Sequence, residues 1–174
     1  IVTHDQEEAM TVADRIAVMD HGQLIQVAPP AEIYEQPATR YVADFIGDVN
    51  IVAGKITACG GEEVTLAAPI TPAPIVIGQH VAAKVGDDAW VAIRPEKLRI
   101  TLEQPAETTT NCFEGTIWDI GYLGDLSIYH VELACGSRIK VSQPNMSRVV
   151  ERPITRDDTV WVTFAPHAGV VLTR

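Results

Sequence analysis

His4 stands directly ahead of Asp5-Gln6-Glu7-Glu8, a run that reads as the start of a helix. A side chain at such a strand-to-helix junction lies beside unpaired helix amides, where phosphate charge is favoured. An imidazole there can donate a hydrogen bond to a phosphate oxygen or orient a water. Taken by itself, a single His ahead of an N-cap is more often a surface or structural residue. Asp5 reads as a cap rather than a catalyst, and Glu7 and Glu8 as a solvated first turn rather than an acid pair. Further along, Arg94-Pro95-Glu96 sets a cation and an anion on either side of a fixed φ, and Tyr122-Leu123-Gly124-Asp125 reads first as a hairpin turn. Lys55, Arg138 and Lys140 are cations that, with backbone amides, can hold an oxyanion. His80, His130 and His167 are isolated and lack ligand spacing, so no metal site is expected. Cys59, Cys112 and Cys135 are odd in number, widely spaced and without C-x-x-C. Neither a disulfide framework nor a zinc ribbon fits them, and a reducing compartment is the expected setting.

Composition narrows the classes. The 174 residues carry 13 Lys and Arg against 23 Asp and Glu, a formal net charge of −10, with 6% aromatics. A nucleic-acid surface needs a basic stripe and stacking rings, and an acidic-lipid partner needs basic clusters; both are disfavoured. Apolar runs end well short of the ~18 residues of a membrane helix, and no basic leader opens the chain. Neither membrane insertion nor an export signal is expected.

Charge and texture divide the chain near residue 48. The first 48 residues hold nine acids and two bases, and the rest 14 acids and 11 bases. In the first part, Ile1-Val2-Thr3 reads as the tail of a strand. A helix follows from Gln6 to Val12 or Ala13, with Asp5 and Glu8 as a capping box. Ile16–Met19 and Gln23–Val27 form a hairpin about Asp20-His21-Gly22. Pro30–Glu35 is a short helix ended by Pro37, and Tyr41, Val42, Phe45 and Ile46 form a helix stripe closed by Gly47. These elements cannot bury a sensible core alone, because they leave both faces of the strand open, so further chain is expected upstream.

Beyond Gly47 come short β-branched runs: 51–57, 64–66, 81–85, 90–93, 98–102, 113–120, 126–133, 138–141, 160–164 and 170–172. Strands this short, at roughly ten-residue spacing, imply a small barrel or sandwich. Gly54, Gly60, Gly78, Gly115 and Gly136 fall where a coiled barrel bends or turns. Gly54-Lys55-Ile56 and Gly115-Thr116-Ile117 look like two related starts, hence a duplicated unit. Trp90, Trp118 and Trp161, one per strand cluster, read as packing residues. Asp87-Asp88, Asp157-Asp158 and Glu62-Glu63 read as solvated turn pairs.

Ile1-Val2-Thr3-His4-Asp5-Gln6-Glu7-Glu8-Ala9-Met10, with Ala13-Asp14-Arg15-Ile16 and Asp20-His21-Gly22, resembles the C-terminal end of an ABC-transporter ATPase domain. Pro29-Pro30-Ala31-Glu32-Ile33-Tyr34 and Pro37-Ala38-Thr39-Arg40-Tyr41-Val42-Ala43-Asp44-Phe45-Ile46-Gly47 resemble the importers that carry a regulatory extension. Ile93-Arg94-Pro95-Glu96-Lys97-Leu98 and the run Gly115 to Val131 are similar to that extension, the latter most of all in polyamine importers of the putrescine and spermidine kind.

The resemblance implies a mainly β fold: an OB-like regulatory domain of the TOBE or molybdate-module type at 48–174, in two barrel units. Ahead of it, 1–47 would be the α/β tail of a P-loop ATPase domain. It implies His4 as the switch histidine that contacts the nucleotide γ-phosphate, and ATP with Mg2+ as cofactors of the intact subunit. It implies a homodimer bound to two permease subunits, served by a periplasmic substrate-binding protein, at the cytoplasmic face of the bacterial inner membrane. Arg94, Pro95, Glu96, Tyr122 and Asp125 become regulatory or interface candidates. Arg94 and Glu96 would bridge to the ATPase domain or a partner subunit, or form a surface ion pair worth ~0–1 kcal/mol. These residues contain no G-x-x-x-x-G-K-[ST] loop, so no ATP turnover is expected from this chain alone. The alternative reading is a stand-alone oxyanion binder of the molybdate type, using Lys55, Lys140 and Arg138. The strand tail and the first hairpin are expected to seek pairing in another chain.

Overall fold

In a computed structural model, residues 2–106, 111–146 and 152–174 are described. The chain begins with α1 (Gln6–Val12) and the hairpin β1 (Ile16–Asp20) and β2 (Gln23–Ala28). Two short helices follow, α2 (Pro30–Glu35) and α3 (Arg40–Phe45). Ile1 lies outside the described residues, and Val2 and Thr3 join no strand among them. Asp5 caps α1 by accepting from Glu8 N–H at 3.0 Å. The return half of the expected box runs through a third residue: Asp5 N–H donates to Thr3 Oγ1, whose hydroxyl donates to Glu8 Oε2. In the hairpin turn His21 as well as Gly22 takes a positive φ, at 46° and 77°.

These elements bury more than expected. Ile16, Val18, Ala28, Ile33, Val42 and Ile46 form a small core, because α2 and α3 cover one face of the hairpin. The other face stays open, with Met19 and Leu24 exposed. The α3 stripe splits accordingly. Val42 and Ile46 face the core, while Tyr41 and Phe45 stack on each other at 5.6 Å on the outside.

The remainder is all β: β3 (Asn50–Gly60), β4 (Glu63–Ala67), β5 (Ile75–Ile77), β6 (Asp88–Ile93), β7 (Arg99–Thr101), β8 (Asn111–Tyr122), β9 (Leu126–Leu133), β10 (Arg138–Pro144), β11 (Thr159–Phe164) and β12 (Gly169–Leu172). One-turn 3-10 helices at Pro95–Lys97 and Pro166–Ala168 precede β7 and β12. Two antiparallel five-stranded sheets share one apolar core, ordered β12-β6-β3-β4-β5 and β10-β9-β8-β11-β7. Residues 81–85 are not a strand. The third strand is Ile75–Ile77, whose two isoleucines are fully buried, while Val81 and Ala83 only pack against the core from outside.

The two sheets repeat one plan. Asn50-x-x-x-Gly54-x-Ile56 opens β3 and Asn111-x-x-x-Gly115-x-Ile117 opens β8. Each of these strands carries a bulge just after its Ile, at Thr57 and at Trp118. Gly54 and Gly115 are each required by a close approach just ahead of the bulge. A Cβ at Gly54 would lie 2.7 Å from Ala67 O, and one at Gly115 2.5 Å from Val131 Cγ1, so the neighbouring strand approaches too closely for any side chain. Asp87 and Asp158 are not merely solvated either, since each closes its turn by accepting a backbone N–H, from Lys84 and Thr155.

The last strand of each unit is exchanged. β7, from the first unit, pairs with β11, and β12, from the second, pairs with β6. The opening asparagines tie the sheets together in the same sense. Asn50 spans the backbone N–H and C=O of Lys140 on β10, and Asn111 those of Val76 on β5, all at 2.7–2.8 Å.

Candidate functional site

Arg94 leaves the end of β6 and reaches the junction between the helices and the sheets. Its side chain is buried, at 5% residue exposure. Nη1 donates to the carbonyls of Ala43 (3.0 Å), Asp48 (3.1 Å) and Gly47 (3.3 Å), and Nη2 to that of Tyr34 (3.2 Å). The guanidinium also lies 4.1 Å over the Tyr34 ring. Burial pulls its pKa below the ordinary value, and Tyr34, Glu96, Glu35 and Asp48 oppose that pull. A cation suits this place because three of the four carbonyls belong to α3 and the turn ending it, where the helix dipole is negative.

Pro95 is buried in the first position of the 3-10 turn, fixing the direction in which Glu96 and Lys97 leave it. Glu96 does not pair with Arg94, its neighbour in sequence. Its Oε1 accepts from the Tyr34 hydroxyl at 2.7 Å, and Lys97 Nζ meets Glu35 Oε1 at 2.9 Å. Burial, then the hydrogen bond to the Glu96 carboxylate, pushes the Tyr34 phenol up to about 12. Arg94, Glu96 and Lys97 therefore clamp α2 and the end of α3 onto the sheets. Two further contacts strengthen the joint: Arg40 lies 3.8 Å over the Trp90 ring, and Ala43 packs with Ala92 and Leu172.

His4 is exposed in the bend ahead of α1. Two residues on, Gln6 Oε1 accepts from Gly47 N–H at 2.6 Å. Tyr122 and Asp125 lie far along the chain at the exposed tip of the β8–β9 hairpin, where Asn145 fixes the turn through the backbone of Asp125 and Gly124. The structure thus brings Arg94, Pro95 and Glu96 into one site, and leaves His4 and the Tyr122–Asp125 tip outside it. The three cations of the oxyanion reading each hold a carboxylate: Lys55 with Asp88, Lys140 with Asp48, and Arg138 with Glu132. Arg138 also stacks 3.7 Å over Trp118. Sequence reasoning missed Tyr34, Gln6 and Gly47 as clamp members. Tyr34 and Gly47 stood in the runs that carried the resemblance, but nothing in their order pointed to Arg94.

Residues 91–172 match the TOBE domain family model. Residues 91–172 therefore form a TOBE domain. Over 173 residues the chain is 40% identical to the putrescine transport ATP-binding protein PotG of Escherichia coli, covering 99% of this chain and 46% of that protein. It is 38% identical over 174 residues to the spermidine/putrescine import ATP-binding protein PotA of Chromobacterium violaceum, 99% of this chain and 48% of the relative. The chain is related to the ATP-binding subunits of polyamine ABC importers, and spans just under half their length. Among solved structures, the cytoplasmic molybdate-binding protein ModG superposes with a TM-score of 0.64 at 11% identity, over 80% of this chain and 99% of ModG. That likeness is one of fold, and it covers more of the chain than the TOBE match does. Among the described residues, no helix is long and apolar enough to cross a membrane, and no three His, Cys, Asp or Glu are grouped to hold a metal ion.

Proposed function

We propose that this chain is the part of an ABC importer's ATP-binding subunit that carries the switch histidine and the regulatory barrels, in a transporter of putrescine or spermidine. The observation that carries the reading is the 40% identity to a putrescine transport ATP-binding protein along 99% of the chain. The buried Arg94 clamp supports it, because it fastens α2 and the end of α3, which follow the His4 segment in the chain, to the sheets. The cofactors of the whole subunit would be ATP and Mg2+. These 174 residues contain no G-x-x-x-x-G-K-[ST] loop, so the phosphate cradle would come from the rest of the subunit. His4 contributes one imidazole donor beside the amides of α1, and hydrolysis requires the rest of the subunit.

The subunit would act as a homodimer on the cytoplasmic face of the inner membrane, with two permease subunits and a periplasmic substrate-binding protein as partners. Arg94, Pro95 and Glu96 are regulatory in this reading because they hold the barrels to the ATPase side. Tyr122 and Asp125, at an exposed hairpin tip, are positioned to meet a partner. The deciding experiment is His4→Ala in the full-length subunit. ATP hydrolysis should fall to near background in a protein that still folds and binds nucleotide; unchanged turnover would overturn the role of His4.

A further inference from the structure

The backbone around His4 is held more by side-chain hydrogen bonds than by burial. α1 buries no residue, and only Ala9, Met10 and the following Ala13 reach partly into the small core. Thr3 Oγ1 accepts from Asp5 N–H at 3.0 Å across His4 and donates to Glu8 Oε2 at 2.9 Å, while Asp5 Oδ1 accepts from Glu8 N–H at 3.0 Å. These bonds shape the turn, but both ends of each lie within it. Gln6 reaches out of the turn. Its half-buried side chain spans 41 residues of sequence to accept from Gly47 N–H at 2.6 Å. The backbone at the end of α3 prepares that amide for an outside acceptor. Ile46, the cap, is extended at φ −100° and ψ 90°, and Gly47 follows in left-handed backbone at φ 72°, so Gly47 N–H is turned away from Ala43 C=O. On its other side Gly47 offers its own C=O to Arg94 Nη1 at 3.3 Å. A Cβ at Gly47 would lie 3.3 Å from Tyr34 Cε2, so the residue is seated against the ring that Arg94 covers.

We propose that Gln6 is a positioning residue for His4: it fixes the first turn of α1, and with it the imidazole two residues ahead, to the end of α3 that Arg94 holds. This role rests on the reading of His4 as the residue that contacts the γ-phosphate. One donor aimed at one phosphate oxygen acts only within a narrow range of distance and angle, and a misplacement of about 1 Å can cost about a hundredfold in rate. The half-exposed contacts of α1 leave it little packing to set the donor that closely, and bonds inside the turn move with the turn. Gln6 refers the turn to a point outside it. Gly47 serves as that point because Arg94, itself buried, takes its carbonyl together with those of Ala43 and Asp48 on either side. A site is as precise as the groups that support its contacting residue, and here the support runs from Arg94 through Gly47 and Gln6 to the backbone that carries His4.

The test is made in the full-length subunit, with ATP hydrolysis measured for Gln6→Leu, Gln6→Glu and His4→Ala side by side. Gln6→Leu keeps bulk and removes the acceptor. It should lower kcat about tenfold or more while KM for ATP stays within about twofold, because the cradle that binds the nucleotide lies elsewhere in the subunit. Gln6→Glu keeps an acceptor oxygen at the same reach and should recover most of the lost kcat, which a loss of bulk structure would not allow. Unchanged kcat in Gln6→Leu, an equal loss in the Leu and Glu variants, or a raised KM with kcat kept would each overturn the proposal. If His4→Ala hydrolyses normally, the role of His4 falls and this one with it. If His4→Ala is inactive and Gln6→Leu is not, the role of His4 stands and the positioning alone falls. A second measurement needs no nucleotide. In the isotope-labelled 174-residue chain, the Gly47 amide should lose its hydrogen-exchange protection in Gln6→Leu and keep it in Gln6→Glu, with the amides of the two sheets unshifted in both. A Gly47 amide still protected in Gln6→Leu would mean that Gln6 is not what holds it, and would sink the proposal whatever the rates.

Discussion

Arg94 is a buried cation whose hydrogen bonds all go to carbonyls. Hydrogen bonds from a charged group contribute about 1.5–3 kcal/mol each, and removing the donor would leave the buried Ala43 carbonyl without its partner. Its neighbour Tyr34 makes the same joint sensitive to alkali. The Tyr34 phenol is raised to about 12 in the folded chain from an ordinary value near 10. A group with a raised folded pKa lends stability that is complete below its unfolded value and lost as the pH climbs through the folded one. The unfolding midpoint should therefore fall between pH about 10 and about 12 by more in the native chain than in Tyr34→Phe. At neutral pH Tyr34→Phe should cost about 1 kcal/mol for the lost bond to Glu96. Thermal unfolding of both chains across that range checks the claim, and parallel curves would contradict it. Sequence order had set Arg94 beside Glu96. In the fold the two side chains serve different carbonyl and hydroxyl partners around Tyr34, a pairing over 60 residues of chain that no local pattern encodes.

Among the elements, the paired openings of β3 and β8 carry the most information. The glycine in each is fixed by the approach of the neighbouring strand, so replacing it tests the sheet rather than the turn. Gly115→Ala would set a methyl 2.5 Å from Val131 Cγ1 and 2.8 Å from Glu132 O. Overpacking of this kind costs typically about 1–3 kcal/mol. Gly60→Ala meets nothing within 4 Å and should change stability by less than about 0.5 kcal/mol. Chemical denaturation of the two variants measures the difference, and equal midpoints would mean that the strands shift apart without cost. Most strands were legible because alternation of buried and exposed residues survives in them, as in β11, where Val160, Val162 and Phe164 face the core. Residues 81–85 misled for the opposite reason. Their valines and alanines have strand character, but β5 already fills the place beside β4, and the side chain of Asn111 takes the backbone groups of Val76 on that strand. The asparagines themselves were invisible as ties, since an Asn at a strand start reads as turn chemistry until its distant partner is known.

For the whole molecule the exchange of β7 and β12 decides how the barrels stand together. Each sheet is closed at one edge by the final strand of the other unit, and those segments bury side chains in the shared core: Leu98 and Ile100 from one, Val171 from the other. Fully burying a residue of this kind contributes roughly 1.5–3 kcal/mol, so a unit deprived of its borrowed strand loses several kcal/mol. A domain of this size holds only about 5–15 kcal/mol in all. Neither unit has that margin to lose, because Asn50 and Asn111 would also leave Lys140 and Val76 without their side-chain partners. The two sheets should consequently unfold in one transition. Residues 1–106 and 107–174, expressed separately, should each lack the near-ultraviolet signal of packed aromatics, and mixing them should restore it as a one-to-one complex. The exposed Trp118 and the half-buried Trp90 and Trp161 report the two sheets independently by fluorescence once the others are replaced. Two separated midpoints, or a cooperative transition in 107–174 alone, would mean that each sheet stands without the other's strand, and the exchanged strands would then be a register preference rather than the bond that makes the barrels one body.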